Sequence, residues 1–258
     1  MTTIDTTSTR PDELGAWTAT RRLSITQLRL VLREPVVVAF VFAFPIVTVL
    51  VLGGVFDRND PSFGGRPPSE YYAAAYVGVV ISAIGLIMLP VQVASYREAG
   101  VLRRFHAAGF PSWSFPVSQF LIGLAYIVAG TVTVSIAAAS SYGLPAVEDW
   151  PRTLLGFVVG SLAFMSIGVL LGSILPNARA AQGVGLMLFL PMFLLSGGGP
   201  PPDAMPDTMQ TISDWSPLTH VMRAIQEPWL SFGDGTDHLV ISAAIFVVAT
   251  IAWIRARP

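Results

Sequence analysis

Long apolar runs with little or no charge are the feature that most constrains the fold of this chain. Six of them follow one another: about 36–56, 71–94, 116–142, 152–175, 181–196 and 237–254. Most are long enough for a helix to cross the bilayer core, where only helices and closed barrels satisfy their backbone hydrogen bonds. Only 12% of the 258 residues are charged, whereas about a quarter are charged in soluble domains. The sequence therefore predicts an all-α polytopic membrane protein with about six transmembrane helices.

The N-terminal segment is predicted to lie outside these spans. Residues 1–16 are polar, which predicts a flexible tail, and we expect no signal peptide because the first apolar run starts late and is long. Residues 17–34 would place Trp17 and apolar side chains opposite several arginines, which predicts an amphipathic helix at the membrane interface. A plain positive juxtamembrane segment is the alternative. Residues 35–258 are predicted to form a single six-span domain.

The distribution of charge predicts the orientation of the spans. With both termini cytoplasmic, eleven of the 15 basic residues lie on the cytoplasmic side and four lie outside. The 16 acidic residues show the reverse bias, with five inside and eleven outside. Because positive charge is retained on the cytoplasmic side, we expect a multi-pass protein of the cell membrane with both termini cytoplasmic.

Residues that the chain lacks exclude several kinds of chemistry. All basic residues are arginine and there is no cysteine, so the P-loop lysine, thiolate ligands and disulfides are absent. The three histidines, at 106, 220 and 238, form no close-spaced pair of ligands along the sequence. We therefore expect no catalytic residue, no metal site, no cofactor bound by this chain and no nucleic-acid partner.

The apolar runs hold almost no ionisable groups. An ion-driven carrier usually needs such groups at membrane depth, and a catalytic site in the membrane would need them as well. A separate ATPase subunit is then the simplest source of energy for transport. A non-transporting membrane scaffold is the alternative that these residues leave open.

A short charged segment, residues 96–105, separates the second and third apolar runs. As a helix it would place Val101, Leu102 and Phe105 on one side and two arginines largely on another, which suits the binding of a soluble partner. The alternative is that its arginines only set topology. Because acidic residues contribute little to topology, Glu98 favours a specific polar contact at a protein surface.

The segment before the last apolar run suggests a break in the membrane. The fifth run is short and ends in three glycines and three prolines, and residues 203–232 carry apolar side chains at helical spacing but are too polar to span. Exposed backbone at membrane depth must be covered by protein or water. We therefore predict two short, re-entrant amphipathic helices that cap the outer mouth; an ordinary extracellular loop is the alternative.

Both segments resemble those of type-2 ABC exporter permeases. The first carries the pattern R-E-x-G-x-L-R-R-F, beginning at Arg97. The second combines L-S-G-G-G-P, from Leu195, with W-S-P-L-T-H, from Trp215, although Ser216 and His220 stand where many members have Asn and Tyr. The span count and the order of the motifs also fit. The resemblance is greatest to the small drug-resistance permeases of actinobacteria.

The resemblance implies a permease that works with a second, identical or homologous permease and two ATPase subunits, which bind ATP and Mg. It implies export of hydrophobic or amphiphilic drug-like or antibiotic-like compounds, with export of a lipid or polysaccharide precursor as the alternative. It further implies a cytoplasmic coupling helix on the charged segment and an outer gate on the glycine run. The coupling residues would be Arg97, Glu98, Gly100, Leu102, Arg103, Arg104 and Phe105. The outer-gate residues would be Gly197, Gly198, Gly199, Pro200, Pro217 and Leu218.

Overall fold

The computed structural model describes residues 39–101 and 114–256, and within them every regular element is helical. A π-helical turn, Ala39–Ala43, leads into the first helix. The α-helices are α1 (Phe44–Val55), α2 (Pro68–Glu98), α3 (Ser114–Tyr142), α4 (Trp150–Ile174), α5 (Ala178–Leu195), α6 (Asp207–Ser213), α7 (Pro217–Leu230) and α8 (Thr236–Arg255). The all-α prediction is confirmed. The predicted tail (1–16), the interfacial helix (17–34) and residues 102–113 lie outside the described residues.

Five described helices, α2, α3, α4, α5 and α8, are long and apolar enough to cross a membrane. Each overlaps one of the predicted spans from the second to the sixth. The predicted first span enters the described residues only at Ala39, and there α1 is a shorter apolar helix of 12 residues. A sixth span therefore stays a prediction.

Helix α2 lies at the centre of the bundle. Within its most apolar stretch 94% of the residues are buried, compared with 11% in α8. It packs against α1, α3, α4, α5 and α7. Because α2 is surrounded by protein, apolar side chains cover all of its faces instead of one stripe.

A π-helical turn, Ile84–Met88, interrupts α2 near its middle. Pro90, two residues beyond this turn, is the cause, because proline has no N–H to donate to the carbonyl of Leu86. The N–H of Leu89 instead bonds the carbonyl of Ile84, five residues back. A side chain at Gly185 of α5 would overlap the Leu86 carbonyl oxygen, so α5 crosses α2 at the wider turn.

Small residues let α4 approach two neighbours within the same chain. A Cβ at Gly156 would overlap the backbone of α7 at Ala224, and a Cβ at Gly168 would overlap that of α2 at Gly85. Both glycines belong to Gly-x-x-x-Gly pairs, a spacing that permits close packing of membrane helices. These pairs therefore serve contacts inside the chain.

The loops fall at two opposite ends of the bundle, named here by a residue in each. At the Gly198 end, Arg66, after α1, donates from Nη2 to the carbonyl of Leu230, the last residue of α7, at 2.9 Å. The indole of Trp229 donates to the carbonyl of Pro145, after α3, at 3.3 Å. The segments that follow α1 and α3 therefore meet the end of α7 on one side.

At the opposite, Arg97 end, the last turn of α4 meets the last turn of α8. Trp253 on α8 donates from Nε1 to the hydroxyl of Ser173 on α4 at 3.1 Å. This alternation of ends is what a chain that crosses a membrane repeatedly requires.

Candidate functional site

At the Arg97 end, an arginine of α2 binds the C-terminus of α4. The Nη1 atom of Arg97 donates to the carbonyl oxygens of Gly172 at 2.8 Å and Leu175 at 2.9 Å. Carbonyls in the last turn of a helix have no partner within the helix, and the macrodipole makes that end attractive to a cation. Arg97 therefore caps α4 across a separation of 75 residues or more.

The next residue of α2 binds the N-terminus of α5. The Glu98 Oε2 atom accepts from the backbone N–H of Ala178, the first residue of α5, at 3.0 Å. Asn177 completes this cap, since its Oδ1 atom accepts from the N–H of Ala180 at 2.8 Å. A carboxylate is favoured at a helix N-terminus for the same reason that a cation is favoured at a C-terminus. The sequence suggested a partner contact for Glu98; the structure shows this internal contact.

Helix α2 ends at Glu98, and Gly100, two residues later, has φ +65°. The N–H of Gly100 donates to the carbonyl of Arg97 at 3.0 Å. This left-handed conformation favours glycine over any residue with a Cβ, so Gly100 has a backbone reason to be glycine. The expected coupling residues Leu102, Arg103, Arg104 and Phe105 lie outside the described residues, and their role stays a prediction.

At the Gly198 end, α5 ends at Leu195 and the backbone turns sharply at Gly197, with φ +86°. A Cβ on Gly197 would lie 2.5 Å from the hydroxyl oxygen of Tyr71. A Cβ on Gly198 would lie 2.9 Å from the ring of Phe193. Gly197 must therefore be glycine because of its dihedral angles and the lack of space, and Gly198 because of the lack of space.

Two tyrosines of α2 hold the glycine run in place. The hydroxyl of Tyr72 donates to the carbonyl of Gly199 at 2.7 Å, and that of Tyr76 donates to the carbonyl of Gly198 at 2.9 Å. Tyr71, beside them on the same helix, is buried in the protein as Tyr72 and Tyr76 are, so these rings pack inside the bundle. The separation of four residues between Tyr72 and Tyr76, which puts both on one helical face, was the available signal.

The remaining expected gate residues differ in their surroundings. Pro200 is exposed, Pro217 is half-buried at the start of α7, and Leu218 is buried in the core that also contains the tyrosines. Helix α7 is fixed to α2, since the side-chain amide of Gln226 donates to the carbonyl of Tyr71 at 3.1 Å. Two short helices precede the last span, as predicted, but the second is largely packed into the bundle.

Two histidines distant in sequence meet near the Gly198 end. The Nδ1 atoms of His220 and His238 are 2.9 Å apart, and His238 Nε2 is 3.3 Å from Glu227 Oε1. Burial lowers the pKa of His220 below its ordinary value, and the neighbouring His238 and Arg223 act in the same direction. Among the described residues, no three His, Asp or Glu side chains are placed so that they could hold a metal ion. The two histidines are 18 positions apart in the sequence, so their pairing leaves no close-spaced motif.

An apolar groove of about 450 Å³ runs between α3, α4 and α8 near the Arg97 end. A second pocket of about 270 Å³ shares Phe120, Leu162 and Trp253 with it and adds the hydroxyls of Ser166 and Thr250. The groove is lined by Pro116, Val117, Phe120, Leu121, Leu124, Leu162, Met165 and Trp253.

Comparison with known proteins decides the family. Residues 18–228 match the family described as "ABC-2 type transporter". The chain belongs to this family. The "Putative transport permease YvfS" of Bacillus subtilis (strain 168) is 24% identical over 222 residues, which cover 85% of this chain and 84% of YvfS. The "Inner membrane transport permease YhhJ" of Escherichia coli (strain K12) is 27% identical over 178 residues, which cover 66% of this chain but only 44% of YhhJ.

The family match includes both the Arg97 segment and the glycine run, and it stops before α8. The resemblance noted in the sequence is therefore confirmed at the level of the family. This ABC-2 permease is a multi-pass membrane subunit of a transporter that has an ATPase partner.

Proposed function

We propose that this chain is the membrane-spanning subunit of an ATP-driven exporter of hydrophobic or amphiphilic compounds, including drug-like and antibiotic-like molecules. One observation supports the source of energy. In the described residues of the five spans, every Asp, Glu, Arg and His lies within about one turn of a helix end. Proton or ion coupling usually requires such groups at membrane depth. A separate ATPase subunit therefore supplies the energy, and this chain itself is not an enzyme.

The Arg97 end is proposed to face the cytoplasm and to bind the ATPase subunits. The excess of arginine on this side supports the orientation, with both termini cytoplasmic. The coupling residues are then those at the end of α2 together with Leu102, Arg103, Arg104 and Phe105. Two permease chains, identical or homologous, would work with two ATPase subunits that bind ATP and Mg.

The Gly198 end is proposed to be the outer gate. Its glycine run lies between the end of α5 and α6, and neutral hydroxyl groups of α2 hold it. Such bonds are individually weak enough to break and re-form in a transport cycle, because the net contribution of one is about 1 kcal/mol. The gate residues would be Gly197, Gly198, Gly199, Pro200, Pro217 and Leu218.

The groove between α3, α4 and α8 supports the proposed class of substrate. Its walls are aromatic and aliphatic, with a thioether from Met165 and hydroxyls from Ser166 and Thr250 nearby. Ligand sites of this kind take largely apolar molecules and use a few polar groups to orient them. A charged sugar or peptide would find no ionic partner among these lining residues.

The test is to identify the ATPase subunit that co-purifies with this chain, to co-express the two, and to measure ethidium efflux from preloaded cells. We expect faster efflux when both subunits are present than with either alone, because neither can couple ATP hydrolysis to transport by itself. The matched control is the same pair with an ATPase subunit that binds but cannot hydrolyse ATP. Efflux that is equally fast with this control, or with the permease alone, would refute the proposal.

A further inference from the structure

We propose that Arg97 and Glu98 form an intramolecular clamp that joins the end of α2 to both ends of the α4–α5 turn, so that the three helix ends move as one unit. The contacts of the clamp do not depend on the proposed function. Only the motion that the clamp transmits to the glycine run rests on that function. The clamp assigns Glu98 a positioning role within this chain, instead of a direct charge contact with the ATPase.

The clamp consists of two consecutive residues of α2 that have opposite charges. Each binds the end of another helix, and these two helix ends have opposite polarity. Arg97 bonds two carbonyls at the C-terminus of α4, and Glu98 bonds the N–H of Ala178 at the N-terminus of α5. Each charge matches the sign that its helix end prefers. Charge-assisted bonds of this kind are about twice as strong as neutral ones, so the pair is suited to hold α4 and α5 in register with α2.

Close backbone packing behind the clamp supports rigid movement. A Cβ at Gly172 of α4 would lie 2.6 Å from the Cβ of Val93 on α2. On α5, Gly185 meets the π-helical turn of α2 so closely that a side chain would overlap its backbone. The clamp therefore lies at one end of a close packing contact that runs along α2, α4 and α5.

Helix α5 connects the clamp to the other end of the bundle. It begins at Ala178, whose N–H Glu98 binds, and ends at Leu195, next to the glycine run. Its 18 residues span about 27 Å at 1.5 Å per residue. A shift of the α2 end would therefore move the start of α5 and, through this helix, the backbone at Gly197–Gly199.

The first test separates capping from charge by two substitutions at one position. Glu98→Gln keeps an oxygen that accepts from the N–H of Ala178, whereas Glu98→Ala removes it. In the purified full chain, we expect the Ala178 amide to exchange with solvent about fivefold faster in Glu98→Ala, the fold-change that corresponds to about 1 kcal/mol for a lost helix cap. Glu98→Gln should remain within about twofold of wild type. Equal exchange in Glu98→Ala and wild type would refute the clamp.

The second test measures transmission in the assembled complex with the ATPase. Amide exchange at Gly197–Gly199 is compared with and without trapping by ATP and vanadate. We expect trapping to change this exchange in wild type and in Glu98→Gln, and to leave it unchanged in Glu98→Ala although the ATPase subunit still co-purifies. No change in wild type would also refute the inference.

Two control variants match the changes in charge. Glu148→Ala removes an exposed carboxylate at the Gly198 end, where its contact with Arg66 is a 3.9 Å ion pair. Arg179→Ala removes an exposed arginine in the first turn of α5 that makes no hydrogen bond or ion pair with another described residue. Both should retain the response of wild type. A Glu98→Gln variant that fails to transmit the response although its Ala178 amide exchanges as slowly as in wild type would show that the charge acts outside this contact, and it would overturn the clamp. Failure of the ATPase to co-purify with wild type would contradict the proposed function instead.

Discussion

Removing the hydroxyls that hold the glycine run tests the outer gate most directly. Tyr72→Phe deletes the donor to the Gly199 carbonyl but keeps the ring, which packs edge-on against Phe63 with centroids 5.6 Å apart. Tyr76→Phe does the same for the Gly198 carbonyl. The perturbation therefore changes one hydrogen bond and almost no volume.

The size of the effect depends on whether the orphaned carbonyl finds another donor. Hydrogen bonds between membrane helices average about 0.6 kcal/mol when other partners are within reach, whereas a buried acceptor left unsatisfied costs about 1–3 kcal/mol. Tyr72 is 0% exposed and Gly199 is buried, so water cannot replace the hydroxyl. We expect a loss of about 1–2 kcal/mol in the free energy of unfolding for each variant.

The assay combines stability with gating. A chain of this size should lose about 2–4 °C of Tm for each kcal/mol, measured on the purified permease. In the complex with the ATPase, basal ATP hydrolysis without substrate should rise, because the bonds stabilise the closed gate. The matched control is Tyr142→Phe, since Tyr142 on α3 also donates its hydroxyl to a backbone carbonyl, that of Leu50 on α1, but away from the glycine run.

Two results would refute this reasoning. An unchanged Tm in both Tyr72→Phe and Tyr76→Phe would show that their hydroxyls do not stabilise the glycine run. Equal effects of Tyr142→Phe and Tyr72→Phe on Tm and on basal ATP hydrolysis would show a general loss of stability and no gate.

Three further predictions concern the same end of the molecule. Gly198→Val should abolish ethidium efflux while the ATPase subunit still co-purifies, because its Cβ would lie 2.9 Å from the Phe193 ring; normal efflux would mean that the run is only a loop. The folded chain lowers the pKa of His220, so its contribution to stability is present above the unfolded value of about 6.5 and is lost as the pH falls below it. Protection factors of the backbone amides at the junction with His238, which correct for the slower intrinsic exchange at low pH, should therefore fall on acidification, and should fall less in His220→Gln. A thiol label should reach Gly65→Cys only from outside the cell, and labelling from the cytoplasm would overturn the orientation.

The sequence was sufficient to predict the spans but not their positions in the bundle. The predicted second span, 71–94, lies within α2 (Pro68–Glu98), because an uninterrupted apolar run determines both the helix and its length. Nothing in such a run distinguishes a central helix from a lipid-facing one, since lipid is as apolar as a protein core. Only the tyrosines of α2, whose hydroxyls need partners, indicated that this span is buried in protein.

The contacts that organise both ends could not be predicted for a different reason. Arg97, Glu98, Tyr72 and Tyr76 all bind backbone atoms of residues at least 75 positions away. Every residue carries such an atom, so the partner leaves no signature in the sequence. A charge or hydroxyl could be recognised as needing a partner, but the helix end that supplies it appears only in the fold.

At both ends of the bundle, side chains of α2 provide hydrogen-bond partners for backbone groups that would otherwise be unpaired. The two ends use different kinds of side chain. At the Arg97 end, the charged side chains of Arg97 and Glu98 cap the helices. Both residues are exposed, so their charged groups largely keep their solvation. At the Gly198 end the site is buried, and neutral hydroxyls of Tyr72 and Tyr76 bind the carbonyls. Opening that end exposes no unpaired charge, whereas separating Arg97 or Glu98 from its helix would disrupt charge-assisted bonds. The motion with the lower free-energy cost is therefore one in which the Arg97 end moves as a unit and the glycine run opens.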